Sequence, residues 1–156
     1  MWPDSGGPGM WRGGTGTRTR VRMLGDGMLT ARIADRSIFP PRGIKGGKPG
    51  AGGHWIVNEG ESNEVRLPPK VTNVPLKAGD VLTACGSGGG GLGNPWERDP
   101  ALVLRDVRAG RVSVDAARAQ YGVAVSATPD DIAAAILDEG GTQSLRAALF
   151  AKAGDQ

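Results

Sequence analysis

The rhythm of polar and apolar positions changes twice along this chain. Over Thr17 to Met23, "TRTRVRM", the two kinds alternate. Thr17, Thr19, Val21 and Met23 share one face, and Arg18, Arg20 and Arg22 the other. A period of two predicts a strand with one solvated or partner-facing side. Asp26-Gly27 is a turn dipeptide, so "MLTARIA", Met28 to Ala34, is expected to return as the second strand of a hairpin. Pro40-Pro41 bars the next segment from a central place in a sheet. Short strands follow at "HWIVN" (His54 to Asn58), at "EVRLPPKV" (Glu64 to Val71, interrupted by Pro68-Pro69) and at Val81 to Ala84 after a turn at Ala78-Gly79-Asp80. Residues from about 15 to 85 therefore read as β-rich, a sandwich or partial barrel.

The rhythm becomes helical after residue 98. Asp99 is an N-cap candidate and Pro100 suits the first helical position. "ALVLRDVRAG" places Leu102, Val103 and Val107 at helical spacing and stops at Gly110. Ser113 caps a second helix, "VDAARAQY", that ends at Gly122. Val123 to Val125 is a small strand. Thr128-Pro129-Asp130-Asp131 should open a third helix carrying Ile132, Ala135, Ile136 and Glu139, with acidic residues suited to its dipole. After a break at Gly140-Gly141, "TQSLRAALFAKAG" is a fourth, weaker helix. The fold class expected is α+β: β-rich over about 15–85, a glycine-rich loop over 86–98, and helical over 99–153.

Composition sharpens this picture in one respect. Of 156 residues, 27 are glycine, against only two Phe, one Tyr and four Trp, so small aliphatic side chains must build the core. The glycines follow no three-residue repeat, which excludes collagen. Interleaved with short apolar runs, they predict tight turns between short strands. Residues 1–16, rich in Gly, Pro and Trp, offer no periodic element and read like the middle of something larger.

The net charge of +3 is unevenly placed: residues 1–48 carry nine Lys/Arg and three Asp/Glu, and residues 129–156 carry two and five. Phosphate binding requires clustered cations, and these are dispersed, so a solvated basic face is favoured over a nucleic-acid groove. A single cysteine, Cys85, precludes an intrachain disulfide and fits a reducing, cytoplasmic setting. No apolar run approaches the ~20 residues that span a bilayer, so no membrane partner is expected. Nor does the N-terminus show the basic-then-apolar order of a signal peptide.

The candidate chemistry is sparse. Gly88, Gly89, Gly90 and Gly91 invite a nucleotide-loop reading, but no Lys-Ser/Thr pair follows and Pro95 keeps Asn94 out of helical geometry. A structural or site-bordering loop whose amides line a site is the better reading. His54 is the only histidine, so a zinc site would lean on carboxylates, and no metal ligand set is assigned. Ser87 lies between glycines, but Ala84 stands where a nucleophile elbow needs its first glycine. The charged loop pairs Asp35-Arg36 and Arg98-Asp99 are read first as ion pairs or caps and, more sharply, as site residues contributed to a larger assembly. No catalytic residue is assigned.

Four stretches in order, "DSGGPGMWRGGTG" (Asp4–Gly16), "ADRSIFPPRGIKGGKPGAGG" (Ala34–Gly53), "LPPKVTNVPLKAGDVLT" (Leu67–Thr83) and "GGGGLGNPWERDPALVLRDVRAGRVSVDAARAQYGV" (Gly88–Val123), resemble the C-terminal end of the hydantoinase B/oxoprolinase family. That family includes a related acetone carboxylase subunit. Its members tend to have Pro before the glycine run, then an aromatic and Gly-Asp-Pro. Here Ser87, Leu92 and Gly93-Asn94-Pro95 take those places. The resemblance implies that the chain is a C-terminal portion of a B-type subunit. The complete enzyme would be an ATP-dependent hydrolase of a cyclic amide such as hydantoin or oxoproline. It further implies that ATP and a divalent metal serve the complete enzyme and that this chain binds neither. The implied partners are a hydantoinase A-type subunit and the remaining N-terminal portion of the B-type subunit. The isolated chain is expected to be inactive. Two alternatives stand beside this: a free-standing module that presents the Arg18, Arg20 and Arg22 face to an acidic partner, and a non-functional truncated product.

Overall fold

A computed structural model describes residues 1–128 and 130–154. Strands β1 (Arg18–Arg22), β2 (Gly27–Ile33), β3 (His54–Val57), β4 (Val65–Leu67), β5 (Lys70–Leu76) and β6 (Val81–Cys85) occupy the first half. Helices α1 (Pro100–Arg108) and α2 (Val114–Tyr121), strands β7 (Ala124–Thr128) and β8 (Asp131–Asp138), and helix α3 (Glu139–Gly154) make up the second. The class is α+β, as the periodicity implies.

The expected hairpin between β1 and β2 does not form. β1 pairs antiparallel with β6, from Arg18 opposite Cys85 to Arg22 opposite Val81. β2 pairs with β5, from Gly27 opposite Leu76 to Ile33 opposite Lys70. Between the two ladders lie four residues on each side, 23–26 and 77–80, so one register runs through both. The four strands are thus one long ribbon with an irregular middle. Met23 spans that gap, donating to the Asp80 carbonyl at 2.8 Å and accepting from Gly79 at 2.9 Å. Asp26 does not close a turn between β1 and β2; its carboxylate accepts from the Ala78 amide (2.9 Å) and from Lys77 Nζ (3.0 Å) on the opposite chain. A local turn signal lost to a long-range ladder whose register is continuous over both strand pairs.

β3 adds to the far side of β6 and β4 to β3, giving the order β1-β6-β3-β4. Val57, Leu67, Leu76 and Leu82 are buried together, with Met23, Leu29 and Trp55 packed against them. Burying each such aliphatic side chain contributes about 1.5–3 kcal/mol.

Gly60, Gly79 and Gly110 turn the chain at positive φ, but many other glycines do something else. Five stretches that the periodicity left unassigned, around residues 4–9, 11–16, 41–44, 47–53 and 86–93, lie side by side. The last of these is central. Its amides point outward with a three-residue repeat: Gly86, Gly89 and Leu92 donate to the carbonyls of Thr17, Gly14 and Trp11, while Gly88 and Gly91 donate to those of Ala51 and Lys48. Three residues per turn is the habit of an extended polyproline-type chain, whose hydrogen bonds must be made to neighbours. Close packing of such chains leaves no room for side chains. A Cβ at Gly88 would fall on the Ser5 carbonyl, at Gly90 on that of Arg42, and at Gly13 on that of Gly89. Residues 1–16, which lacked periodicity, supply two of the five chains.

The second half has an ordinary side-chain core. The Asp99 carboxylate accepts from the Ala101 amide at 2.8 Å and starts α1, and the Ser113 hydroxyl accepts from Ala116 at 3.0 Å and starts α2. Gly122, at φ 62°, ends α2 in the left-handed conformation. Val103, Val107, Val112, Ala117, Tyr121, Val123 and Ala135 are buried together.

The third helix expected from residue 128 is instead a hairpin. β7 and β8 pair antiparallel, with Ala124 opposite Asp138 and a bulge between Ser126 and Thr128. Pro129, counted above as part of that helix start, lies outside the described residues. Ala135 is buried and Ile136 is exposed, an alternation of period two. The alanine-rich run has good helix propensity, yet β7 offers it a ladder. Arg108 of α1 further donates through Nε (2.9 Å) and through its second terminal nitrogen (2.8 Å) to the Ala135 carbonyl. Nor does the chain break at Gly140-Gly141: α3 runs through both, with the Asp138 carboxylate accepting from the Gly141 amide at 2.8 Å.

Candidate functional site

The residues singled out from the sequence do not converge. Gly88, Gly89, Gly90 and Gly91 lie inside the bundle. Gly88, Gly89 and Gly91 donate to protein carbonyls at 3.0, 2.8 and 2.9 Å. A phosphate cradle needs such amides free and convergent, so the run does not fit ATP. Arg98 and Asp99 sit where the bundle meets the helical half. Asp35 and Arg36 are exposed beyond the end of β2.

Asp35 opens onto a groove of about 520 Å³ between β2 and the β1-β6-β3 sheet. Thr17, Thr19 and Val21 form one wall, so the Thr/Val face of "TRTRVRM" looks into it. Gly86 and Ser87 border it, which brings the approach to the glycine run, though not the run itself, to its edge. The Arg32 guanidinium lies 3.8 Å from the centroid of the Trp55 ring, a cation–π contact that holds a positive charge at the groove. Cys85 also lines the groove; burial pushes its thiol up, away from the reactive thiolate. Arg36 belongs to an adjoining hollow with Ile38 and Phe39. On the opposite face of β1, Arg18 pairs with Glu59 at 2.6 Å, and Arg22 donates to the Gly79 carbonyl at 3.4 Å.

Asp106, not among the residues singled out from the sequence, is the centre of the buried charges. Its carboxylate is almost wholly buried. It accepts from Arg12 Nε at 2.9 Å, from Arg98 at 2.8 Å and from Arg111 at 3.4 Å. Arg98 also donates to the Met10 carbonyl at 2.9 Å, and Arg146 of α3 donates to the Arg98 carbonyl. One carboxylate on α1 thus binds Arg12 of the glycine bundle, and through Arg98 the network reaches α3. Burial alone would raise the Asp106 pKa, but the hydrogen bonds and charges of Arg12 and Arg98 prevail and hold it below the usual carboxylate value. Burial pushes the neighbouring Tyr121 phenol up to about 12, and its hydroxyl has no hydrogen-bond partner among the described residues. A different signal for this cluster existed. Asp106 falls on the same helical face as Val103 and Val107, and a carboxylate on an apolar face requires buried cations.

His54, the only histidine, sits edge-on to Trp2 at 5.1 Å between ring centroids, with Nδ1 3.3 Å from the Gly52 carbonyl. Among the described residues no three His, Cys, Asp or Glu side chains converge as metal ligands. No helix among them is long and apolar enough to cross a membrane.

Comparison with known proteins settles the lineage. The model of the hydantoinase B/oxoprolinase family matches residues 1–95, which contain the β-rich half and the glycine bundle. The chain belongs to the hydantoinase B/oxoprolinase family. Among curated relatives, an uncharacterized protein of Methanocaldococcus jannaschii is 39% identical over 92% of this chain and 24% of its own length. The putative B subunit of a D-/L-hydantoinase from a Pseudomonas species is 38% identical over 76% of this chain and 20% of its own length. The beta subunit of the Pseudomonas jessenii caprolactamase is 35% identical over 95% and 25%. Among solved structures, the ATP-dependent caprolactamase of the same organism superposes with a TM-score of 0.67 at 31% identity, covering 93% of this chain and 24% of that one. A nucleotide-free acetone carboxylase superposes with a TM-score of 0.71 over 99% of this chain and 24% of that one. Its 22% identity makes that a likeness of fold. This family member therefore spans about a quarter of the length of the relatives it matches.

Proposed function

We propose that this chain is the C-terminal portion of a hydantoinase B-type subunit. Within a complete ATP-dependent cyclic-amide hydrolase it serves as scaffold and interface, with no turnover of its own. Both named subunit relatives act, by their names, on cyclic amides, a hydantoin and a caprolactam, which supports that substrate class. One observation carries the division of labour. The amides of Gly88, Gly89 and Gly91 are bound to backbone carbonyls, and the buried charges converge on Asp106, where they join two halves of the chain. ATP, supplied with its metal elsewhere in the assembly, would make a ring amide a better electrophile; this chain's own residues hold the frame and border the groove at Asp35 and Ser87. The partners in this reading are the remaining N-terminal portion of the B-type subunit and an A-type subunit.

The test uses pure, metal-checked protein with ATP and, in turn, hydantoin, oxoproline and caprolactam. No hydrolysis is expected from the isolated chain. Co-expression with an adjacent A-type subunit and B-type N-terminal portion should give a co-purifying complex that turns over one of the three. Turnover by the isolated chain would overturn the scaffold role.

A further inference from the structure

An exposed apolar stripe crosses one end of the glycine bundle. Leu92 forms an antiparallel bridge with Trp11 and a parallel bridge with Ile44. Trp11 and Leu92 exchange both backbone hydrogen bonds at 2.9 Å. Ile44 donates to Gly91 and accepts from Gly93, both at 3.0 Å. Directly paired residues on extended backbone project from the same face. The three side chains therefore form one row, and backbone bonds hold it in place. Trp11 is 59% exposed, Ile44 66% and Leu92 37%. A contiguous apolar row of this kind marks a contact surface, whereas scattered exposed apolar residues do not.

Two observations bear on what covers it. Among the strongly exposed large apolar side chains of the described residues, all but Ile136 and Phe150 fall within residues 1–95, the part the family model matches. The relatives carry that part on roughly three times as much further polypeptide or more. Charge selects among occupants. Arg42, Lys45 and Lys48 are exposed on the stretch that carries Ile44. Two copies docked through this row would bring like charges together, whereas an apolar surface with an acidic rim would be attracted. We propose that the Trp11–Leu92–Ile44 row is the seat on which the remaining polypeptide of the B-type subunit packs, through an apolar surface bordered by acidic residues. This rests on the B-type reading above.

The experiment grafts this chain in place of the aligned segment of the Pseudomonas jessenii caprolactamase beta chain, with and without the double substitution Trp11→Ser and Ile44→Ser. The same substitution is made in the isolated chain. Thermal unfolding and light scattering are measured on all four proteins. The row is solvent-exposed in the isolated chain, so its midpoint should move by less than about 2 °C, while the substituted graft should lose about 5 °C or more, or fail to remain monodisperse. Equal midpoints for the two grafts would overturn the seat. So would an isolated chain that self-associates through the row, which would make a second copy the occupant. An unsubstituted graft that does not fold would overturn the B-type reading itself, and the seat with it.

Discussion

The glycine bundle and the helical half of this molecule solve the same problem with opposite materials. In the helical half, valines, alanines and Tyr121 fill the interior, and backbone polar groups are satisfied within helices and one hairpin. In the bundle, the interior is the backbone itself. Amides and carbonyls of five chains satisfy one another, and side chains are excluded. A side-chain core tolerates a lost methyl at graded cost. A backbone core tolerates no added methyl where two chains touch, because backbone cannot rotate away. The bundle also orders glycine, the residue with most conformational freedom to lose, so it depends on its boundaries: the Asp106 ion cluster on one side and the β ribbon through Thr17 on another.

The sharpest way to break this comparison is a single methyl. Gly88→Ala places a Cβ on the Ser5 carbonyl, and the chain should fail to fold or lose more than about 3 kcal/mol by urea unfolding. Gly25→Ala, where a Cβ meets nothing within 4 Å, should change stability by no more than about 0.5 kcal/mol. Similar behaviour at the two sites would refute a backbone core.

Next in size is Asp106→Ala, which leaves Arg12 and Arg98 as uncompensated buried charges. A loss of about 3–5 kcal/mol is expected in urea titration. The wild-type counterpart is a pH effect. The folded pKa of Asp106 lies below its unfolded value of 3.8. Its contribution is therefore complete above that value and disappears as pH falls through the lowered folded pKa. Acid unfolding should set in below about pH 4 in wild type. Asp106→Ala should weaken this dependence, leaving the part due to Asp26, Glu59 and Asp80, whose carboxyls are also held below their usual values; an unchanged acid limb would remove Asp106 from the account.

In the side-chain core, Val107→Ala should cost about 2 kcal/mol, since Val107 is fully buried and its site partly collapses. Smaller still is Asp99→Ala, which removes the α1 cap at a cost of about 1 kcal/mol by thermal unfolding. If Asp99→Ala exceeded Val107→Ala, the ranking of packing above capping in this half would be inverted.

Where the sequence could be read, the information was local. Asp99-Pro100 and Ser113 announced their helices because capping is chemistry between residues two or three apart. "TRTRVRM" announced a strand and the two faces of it, but not its partner. The Asp26-Gly27 turn failed because Asp26 bonds across the ribbon to Ala78. The helix expected at Ile132–Glu139 failed because β7 and Arg108, on other elements, offered that backbone better partners. Of the site candidates, Asp99 stood out by its cap spacing. Arg98 was noticed only as a charge; its partner Asp106, eight residues on, was hidden among helix-surface charges although it shares a face with Val103 and Val107.

Taken alone, the order of residues determined the class, the caps, the alternation of β1 and membership of a lineage, all of which depend on neighbours or on a linear pattern. Only the tertiary structure decided what the glycines are for. Their meaning lies in which carbonyl stands opposite each missing side chain, and that carbonyl belongs to a chain segment up to about 80 residues away, as with Gly88 and Ser5. A glycine encodes the absence of a side chain; what occupies that space is set by packing between segments distant in sequence.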